Sequence, residues 1–205
     1  MYQPPAFREE RPEVLHAAIR AHPLATLVTA GASGLIANLV PFALVGPDAN
    51  DRLLLRSHLA RANPQLADLE AGAETLLIFQ GPQAYVSPSW YPSKREHGRA
   101  VPTWNYIMVQ ARGRPAVNDA PEWLRAQLDG ITAQMEGGRP EPWAVSDAPT
   151  DYVAAQLRGI RGIEVEVSSL DGKWKVSQNQ PEANRAGVVQ GLCNGGHYAL
   201  AAEIR

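Results

Sequence analysis

The sequence predicts an α+β, β-rich fold in which an antiparallel sheet or small barrel carries several peripheral helices. Two observations lead to this prediction. Short runs of apolar and β-branched residues follow one another closely, and most are joined by tight turns rich in Gly, Asn and Asp. The helical patterns are fewer and mostly lie outside the strand pairs. Two parallel strands would need a crossover helix between them, so this arrangement predicts antiparallel pairing.

The first half of the chain contains most of the predicted strands. Leu15, Ala18 and Ile19 lie on one face of a short amphipathic helix, Pro12–Ala21. Strands are predicted at 24–30, 35–45, 52–57, 74–81 and 83–88, with turns at 31–34 and 47–51 and a short helix at 62–72. Pro41 inside the second run predicts an edge strand or a bulge, because proline lacks the N–H group of a central strand.

The second half begins with a long predicted strand at 105–117, bent near Gly113. Asp119 and Glu122 are spaced as a capping box and predict a helix that ends at Gly137-Gly138. The apolar stripe of this helix consists of Trp123, Leu124, Leu128, Ile131 and Met135. Asp147 is expected to begin the next helix.

The C-terminal part contains the most regular alternation of the chain. Ile163, Val165 and Val167 alternate with polar residues and predict a strand at 162–170. A turn at Asp171-Gly172 is expected to lead into a further strand at 173–179. Helices are predicted from Pro181 to about residue 190 and over a turn or two within 197–205.

Composition narrows the function classes. The chain has 205 residues, of which 45% are hydrophobic and 20% charged, with a formal net charge of −2, so a nucleic-acid-coating surface is not expected. Cys193 is the single cysteine, which favours a reducing cytoplasm. No signal peptide or long apolar span is apparent, and the phosphate-loop, dinucleotide, serine-hydrolase and zinc signatures are missing. We therefore expect a cytoplasmic protein without a membrane segment or a metal.

Three stretches suggest a binding site. The segment 82–106 concentrates tryptophan, tyrosine and proline in a region without a helical repeat, which is suited to a rigid pocket with flat walls. A wrapped hydrophobic corner with Lys94 exposed is the alternative. In 172–179, two lysines precede a serine and two amides, although a charged edge strand would have the same composition.

The third stretch, 56–65, contains Arg56, Ser57 and Arg61 near a predicted helix start. Arginine side chains and a helix N-terminus together suit a phosphate monoester, and an ordinary turn with a cap is the alternative. Phosphate contacts, aromatic walls and amide groups together are typical of a planar phosphorylated cofactor, and flavin mononucleotide (FMN) fits best.

The segments SHLARANPQ, AYVSPSWYPSK, VPTWNY and GKWKVSQNQ, in this order, resemble the PaiB-type FMN-binding negative transcriptional regulator family. The resemblance runs over nearly the whole chain. It implies one FMN-binding split β-barrel domain over 1–205 with a helical C-terminal extension. It also implies a homodimer with the flavin groove at the subunit interface.

The resemblance also implies the cofactor-binding residues. Phosphate and ribityl contacts are expected from Arg56, Ser57, His58 and Arg61. The ring pocket is expected from Ser87, Trp90, Lys94, Thr103, Trp104 and Asn105. Lys175, Ser177, Gln178 and Asn179 are expected to close the groove. Gln180 and Asn184 stand where the family commonly has a basic and an acidic residue.

Two functions follow from the resemblance. One is a PaiB-like negative transcriptional regulator that acts through flavin or metabolite state. The alternative is an FMN-dependent oxidoreductase resembling a flavin reductase or pyridoxamine-phosphate oxidase. A third possibility is a barrel that binds no cofactor. Direct DNA binding is doubtful, because Arg125 is the single basic residue of the predicted helix 121–136.

Overall fold

The computed structural model describes residues 1–32, 34–47 and 52–204, without the side chains of Glu96 and His97. Most of the predicted turn at 47–51 and residue 33 of the turn at 31–34 lie outside the described residues. The strands are β1 (Arg8–Glu9), β2 (Leu24–Gly31), β3 (Gly34–Pro41), β4 (Ala43–Val45), β5 (Leu54–Ala60), β6 (Thr75–Val86), β7 (Thr103–Asn118) and β8 (Ile160–Lys175). The helices are α1 (Pro12–Ala21), α2 (Gln65–Glu70), α3 (Ser93–His97), α4 (Pro121–Glu136), α5 (Thr150–Arg158), α6 (Glu182–Asn194) and α7 (Tyr198–Ala201).

The sheet order is β3-β2-β6-β7-β8-β5-β4, with β1 added to β8. The pairs β1–β8, β2–β3, β2–β6, β4–β5 and β5–β8 are antiparallel. This confirms the predicted α+β class with an antiparallel sheet. β3 lies at the end of the order, as Pro41 predicted, but the run 35–45 is two strands. β3 pairs with β2, and β4 pairs with β5.

The chain folds into two compact units. The first unit comprises 1–21, 80–110 and 171–205, and the second comprises 22–79 and 111–170. In the first unit, α6 and α7 bury apolar side chains against strand residues. This core contains Ala84, Val86, Tyr91, Ile107, Val176, Val188, Leu192, Leu200 and Ala201. The predicted C-terminal helices therefore supply much of the core of the first unit.

In the second unit, the side chains of Gln65 and Asp68 fix α2 to the β2–β3 hairpin. Gln65 is fully buried and donates hydrogen bonds to the carbonyl oxygens of Leu27 and Ile36. Thr29 donates to the carboxylate of Asp68 over 2.7 Å. Buried polar groups need such partners, because an unpaired group costs about 1–3 kcal/mol.

One predicted strand boundary and one predicted turn are absent, because the strands continue through them. The runs 74–81 and 83–88 form the single strand β6, and β8 passes through Asp171-Gly172. A side chain at position 172 would clash with Leu15, because an added Cβ would lie 2.2 Å from its Cδ2 atom. Gly172 also pairs with Glu9 of β1, which the sequence pattern did not predict. The glycine therefore allows close packing and does not form a turn.

The helix starts also differ from the prediction. Asp119 does not cap α4, because its carboxylate binds Arg161 and Arg61. Asn118 instead accepts a hydrogen bond from the main-chain N–H of Ala120. α5 begins at Thr150, after a short 3₁₀ helix that contains Asp147. Along α4, Leu124 and Ile131 are buried as predicted, but Met135 is exposed.

Candidate functional site

The candidate site is a cavity of about 420 Å³ in the first unit. Its polar walls are built from the start of β7, the end of β8 and the segment that follows β8. Nine polar or charged residues line it: Ser93, Arg99, Thr103, Asn105, Lys175, Ser177, Asn179, Gln180 and Asn184. Phe7, Tyr91, Ala100, Val101 and Pro181 supply the remaining walls.

Five of the residues predicted from the sequence line this cavity together. Thr103 and Asn105 come from β7, Lys175 ends β8, and Ser177 and Asn179 follow it. Alternation along β7 places Thr103 and Asn105 on the same face of the strand. The segments VPTWNY and KWKVSQN are therefore neighbours in the first unit, although about 70 residues separate them.

Lys175 is held at the cavity wall by two hydrogen bonds. Its ammonium group donates to the hydroxyl of Thr103 and, over 2.5 Å, to the carbonyl oxygen of Trp104. Burial lowers the pKa of Lys175 below its usual value, and the positive charge of Lys173 lowers it further. The described residues place no carboxylate beside this ammonium group. A bound anion would supply the missing negative charge.

Asn105 and Ser177 form a buried polar pair on the cavity wall. Asn105 is 1% exposed and donates from Nδ2 to the hydroxyl of Ser177 over 2.9 Å. Ser177 has a φ of 63°, in the left-handed region that a residue with a side chain rarely adopts. Its hydroxyl also bonds to Tyr91, whose pKa is raised mainly by burial. Tyr91 therefore remains a protonated phenol at neutral pH.

The segment after Ser177 is fixed by several local hydrogen bonds. Gln178 accepts from the main-chain N–H of Val176 and donates to the carbonyl oxygen of Trp174. The N–H of Gln180 donates to Ser177, and Arg185 donates to the carbonyl oxygen of Gln180 over 2.8 Å. Gln178 thus stabilises the cavity wall through its side chain without lining the cavity.

Gln180 and Asn184, the two departures from the family pattern, contact each other. Asn184 donates to Oε1 of Gln180 over 3.2 Å and to the hydroxyl of Ser93 over 2.9 Å. The N–H of Ser93 donates back to Asn184 over 3.3 Å. This network joins the start of α3 to the start of α6, and all three residues line the cavity.

Four other residues predicted for the ring pocket lie in the first unit but not on the cavity wall. Ser87 caps the 3₁₀ helix Pro88–Trp90 by accepting from the N–H of Ser89. Trp90 packs on α6, where an added Cβ on Gly191 would lie 2.2 Å from its ring. Trp104 is 53% exposed and stacks edge-on with Tyr85. Lys94 is an exposed residue of α3.

The residues predicted to bind phosphate belong to the second unit, mostly within β5. Arg56 donates to Glu164 over 2.6 Å and lies 5.6 Å from the Trp123 ring. Arg61 donates to Asp119, to the carbonyl oxygen of Arg158 at the end of α5 and to that of Ile160 at the start of β8. Both guanidinium groups therefore have partners within this chain.

The other two residues of this set are engaged in the same way. Ser57 is fully buried and donates to the carbonyl oxygen of Pro41 over 2.6 Å. His58 shares a 2.9 Å hydrogen bond with Gln127, whose Nε2 atom has no partner among the described atoms. The predicted strand 52–57 already contained Arg56 and Ser57, but β5 continues to Ala60, so His58 also lies in the sheet and not in a turn.

Several lining residues were not singled out from the sequence. Arg99 lies between two recognised segments, and the nearly buried Tyr91 lies within AYVSPSWYPSK but was not among the predicted cofactor contacts. Their neighbours in SWYPSK and VPTWNY were informative, but nothing in the local pattern distinguished Arg99 from an exposed loop arginine. Contact with the cavity depends on the pairing of β7 with β8, which local sequence does not encode.

The donor groups of the cavity suit a phosphorylated planar ligand. Arg99 and Lys175 contribute positive charge, and no carboxylate is present among the described residues that line the cavity. Amide and hydroxyl groups on the walls can bind the edges of a ring system. The volume falls within the range of about 300–1,000 Å³ typical of small-molecule sites. These residues therefore fit FMN.

None of the helices described is long and apolar enough to cross a membrane. Histidine, cysteine and acidic side chains in the described ranges form no group of three that could hold a metal ion.

Comparison with known proteins gives one family match and several relatives. Residues 1–169 match the family described as "Putative FMN-binding domain". An uncharacterised protein of Emericella nidulans is 34% identical, with 95% of this chain and 91% of that protein covered. The protease synthase and sporulation protein PAI 2 of Bacillus subtilis is 31% identical, with 95% and 90% covered.

Solved structures show the same fold at low identity. The FAD and heme binding protein from Mycobacterium smegmatis superposes with a TM-score of 0.61 at 19% identity, covering 82% of this chain and 73% of that one. A conserved hypothetical protein from Mycobacterium tuberculosis superposes with a TM-score of 0.62 at 11% identity, covering 89% and 95%.

Proposed function

The chain belongs to the FMN-binding domain family, and on this basis we propose that it is a PaiB-like negative transcriptional regulator that acts through flavin or metabolite state. Its fold is the antiparallel split β-barrel of flavin-binding proteins, with peripheral helices. Its cofactor is FMN. When bound, FMN supplies reversible electron transfer.

One observation carries the proposal, namely the cavity of the first unit. It combines Lys175 and Arg99 with amide and hydroxyl groups and lacks a carboxylate among its described lining residues. Such a cavity binds an anionic ligand strongly, because positive charge in a partly desolvated site interacts better with anions than in water. Thr103, Asn105, Ser177 and Asn179 supply the polar contacts in this proposal. Contacts from Arg56, Ser57, His58 and Arg61 to FMN stay a prediction of the family resemblance.

The regulatory role is proposed to be indirect. Arg125, the basic residue of α4, forms an i,i+4 ion pair with Asp129 over 2.9 Å, so its charge is partly compensated. The chain has a formal net charge of −2. A protein that reads DNA directly neutralises phosphates with unpaired basic side chains. We therefore expect the protein to act through a partner protein in the cytoplasm.

The protein is proposed to act as a homodimer, and the second unit offers a surface for it. We call this surface the β2–β3 face: besides Thr26 it consists of the apolar residues Leu24, Val28, Ala30, Leu35, Ala37, Leu39 and Pro41. Leu24, Leu35 and Leu39 are 53%, 79% and 67% exposed. A row of exposed apolar side chains on one sheet face is typical of a protein–protein interface.

The alternative function is an FMN-dependent oxidoreductase. One observation favours it: Tyr91, a protonated phenol, and Lys175 line the same cavity as potential proton donors. Proton transfer by positioned side chains accompanies many redox reactions of small molecules. In this alternative, the cavity holds the substrate beside the cofactor.

The deciding experiment begins with the absorption spectrum of the purified protein. A yellow protein that releases FMN on denaturation supports both functions, and failure to bind added FMN refutes both. Rapid reduction by NADH or NADPH followed by turnover on an acceptor identifies the oxidoreductase. A change in the set of proteins or promoter fragments bound when FMN is reduced, without turnover, identifies the regulator.

A further inference from the structure

Phe7 lines the cavity of the first unit from the N-terminal part of the chain. The other described lining residues all lie within 91–105 or 175–184. Phe7 and Tyr91 are the two aromatic side chains among them. Phe7 is only partly buried, so its ring has further surface to bury when a ligand fills the cavity.

Phe7 belongs to residues 1–9, which we call the N-terminal strap, and a rigid turn sets its position. Pro4 and Pro5 stand before it, and proline restricts the backbone to one φ region. The 3₁₀ turn Pro5–Phe7 is closed by a hydrogen bond from the N–H of Phe7 to the carbonyl oxygen of Pro4 over 2.9 Å. The N–H of Arg8 donates to Pro5. Because β1 begins directly after this turn, the docking of the strap fixes where the Phe7 ring lies.

The strap is attached to β8 mainly by polar contacts. β1 pairs with β8 in antiparallel register. Gln3 donates to the carbonyl oxygen of Gly172 over 2.7 Å, and Lys173 donates to that of Tyr2 over 3.0 Å. An added Cβ at position 172 would lie 2.8 Å from the carbonyl oxygen of Glu9. The glycine therefore allows the strap to lie this close to β8.

The strap has few core contacts compared with the helix that follows it. Residues 1–7, all within the described part of the chain, include none that is buried. In α1, by contrast, Leu15 and Ile19 are 4% and 0% exposed. Segments with few buried apolar contacts open locally at a small cost in free energy. We therefore expect the strap to detach from β8 while α1 stays in place.

We propose that Phe7 is a ligand-binding residue of the cavity, and that flavin binding and docking of the N-terminal strap stabilise each other. The inference rests on the proposed function, in which this cavity holds FMN. A ligand that fills the cavity buries the Phe7 ring only while the strap is docked, because the ring leaves the wall with the strap. Docking therefore raises flavin affinity, and bound flavin favours docking by the same factor.

The first test is flavin-fluorescence titration of Phe7 variants. Phe7→Ala is expected to weaken FMN binding by about tenfold, because the apolar contact is lost. Phe7→Leu keeps an apolar side chain and should stay within about threefold of the wild type. Phe7 is uncharged, so FMN and riboflavin should lose affinity alike. Tyr198→Ala is the control, since Tyr198 is an exposed aromatic residue of the same unit that does not line the cavity.

The second test is amide hydrogen exchange at the N–H groups of Phe7 and Arg8, which report on the turn. Saturating FMN is expected to slow their exchange by about tenfold, the same factor as the affinity loss in Phe7→Ala, because the coupling is reciprocal. In Phe7→Ala, FMN should not slow exchange at these positions. The amides of Ala201 and Ala202 in α7 are the reference, because α7 does not line the cavity.

The anchors of the strap can be tested without the cofactor. Gln3→Ala removes one hydrogen bond to β8, so exchange at the Phe7 and Arg8 amides should become about fivefold faster in the flavin-free protein. Lys173→Met also removes one anchor. The strap stays mostly docked through its other contacts, so flavin affinity in Lys173→Met should change less than about threefold.

Three results would overturn the inference. One is unchanged FMN affinity in folded Phe7→Ala, which would leave the proposed function standing. Another is equal slowing of exchange by FMN in Phe7→Ala and the wild type, because protection would then not depend on the ring. The third is exchange of the strap amides no faster than that of α7, which would mean that the strap does not detach by itself. If the wild type binds no FMN, the proposed function fails and the inference fails with it. If Phe7→Ala does not fold, Phe7→Gln replaces it with the same expectations.

Discussion

The ammonium group of Lys175 donates a 2.5 Å hydrogen bond to the main-chain carbonyl oxygen of Trp104. It also donates to the hydroxyl of Thr103, so two of its three protons have partners in the protein. The third is available to a ligand. The strand pairing thus positions a lysine that would otherwise be mobile, and it does so inside the cavity.

Replacing Lys175 by methionine is expected to weaken FMN binding by about 1.5–3 kcal/mol, the range for a charged hydrogen bond. Riboflavin affinity should change less, because riboflavin lacks the phosphate. Lys173→Met is the matched control. Lys173 lies before Lys175 on β8, contacts the rings of Tyr2 and Tyr106 and does not line the cavity. Equal losses for both variants in flavin titrations would contradict the assignment.

The pH dependence of FMN binding follows from the lowered pKa of Lys175. Below its pKa the Lys175 side chain is charged and binds phosphate. FMN affinity should therefore fall as the pH rises through the pKa of Lys175. Because this pKa is lowered, the fall is expected below pH 10.5. Flavin titrations between pH 7 and 10.5 measure the effect. In Lys175→Arg the charge persists through this window, so affinity should stay constant there.

The lowered pKa of Lys175 also determines how the free energy of unfolding depends on pH. A lysine whose pKa is lowered on folding binds fewer protons in the folded than in the unfolded chain. Its contribution to the free energy of unfolding therefore rises with pH between the lowered pKa and 10.5. Loss of binding in this window thus cannot be attributed to Lys175 destabilising the fold.

Ser177 combines an unfavourable backbone conformation with a buried hydrogen bond, and two substitutions separate these effects. Ser177→Ala keeps the φ of 63° and leaves Asn105 short of a partner, so the free energy of unfolding should fall by about 1–3 kcal/mol. Ser177→Gly loses the same hydroxyl but adopts this φ without strain, so it should cost about 1 kcal/mol less. Chemical denaturation measures both. A glycine variant less stable than the alanine variant would argue against backbone strain at this position.

Local sequence patterns predicted an element correctly where a single property of its residues determined the structure. α1 follows from its apolar spacing, and the position of Pro41 at the end of edge strand β3 follows from its missing N–H group. Gly172 was misassigned because its role depends on Leu15, which is distant in sequence. Asp119 has the sequence context of a helix cap, but Arg61 and Arg161 bind its carboxylate through tertiary contacts.

The candidate site was predictable to a similar degree. Thr103, Asn105, Lys175, Ser177 and Asn179 were recognised because their segments carry unusual composition and a family resemblance, and they line one cavity. The direction of each side chain was not predictable. Trp90 packs on glycines of α6 and Gln178 binds the backbone, because strand pairing and helix packing decide which face each residue occupies.

Arg61 tests whether the second unit contributes to cofactor binding. If it contacts phosphate, Arg61→Ala weakens FMN binding by about 1.5–3 kcal/mol. Its bonds to Asp119 and to two carbonyl oxygens also predict a loss of stability. Arg161→Ala is the control, because Arg161 binds the same carboxylate. Both variants should be less stable, and unchanged FMN affinity in folded Arg61→Ala would refute the phosphate contact.

The β2–β3 face tests the proposed homodimer. Leu35→Asp and Leu39→Asp place charges on exposed positions of β3, so the fold of one chain should persist while association weakens by at least about tenfold, since burying an unpaired charge is costly. Sedimentation equilibrium measures the dissociation constant. Tyr152→Asp on α5 is the control, because Tyr152 is also an exposed apolar residue but lies outside this face. A dimer that survives both leucine substitutions must use another surface. If FMN affinity falls together with dimerisation, the cofactor groove includes residues of both subunits.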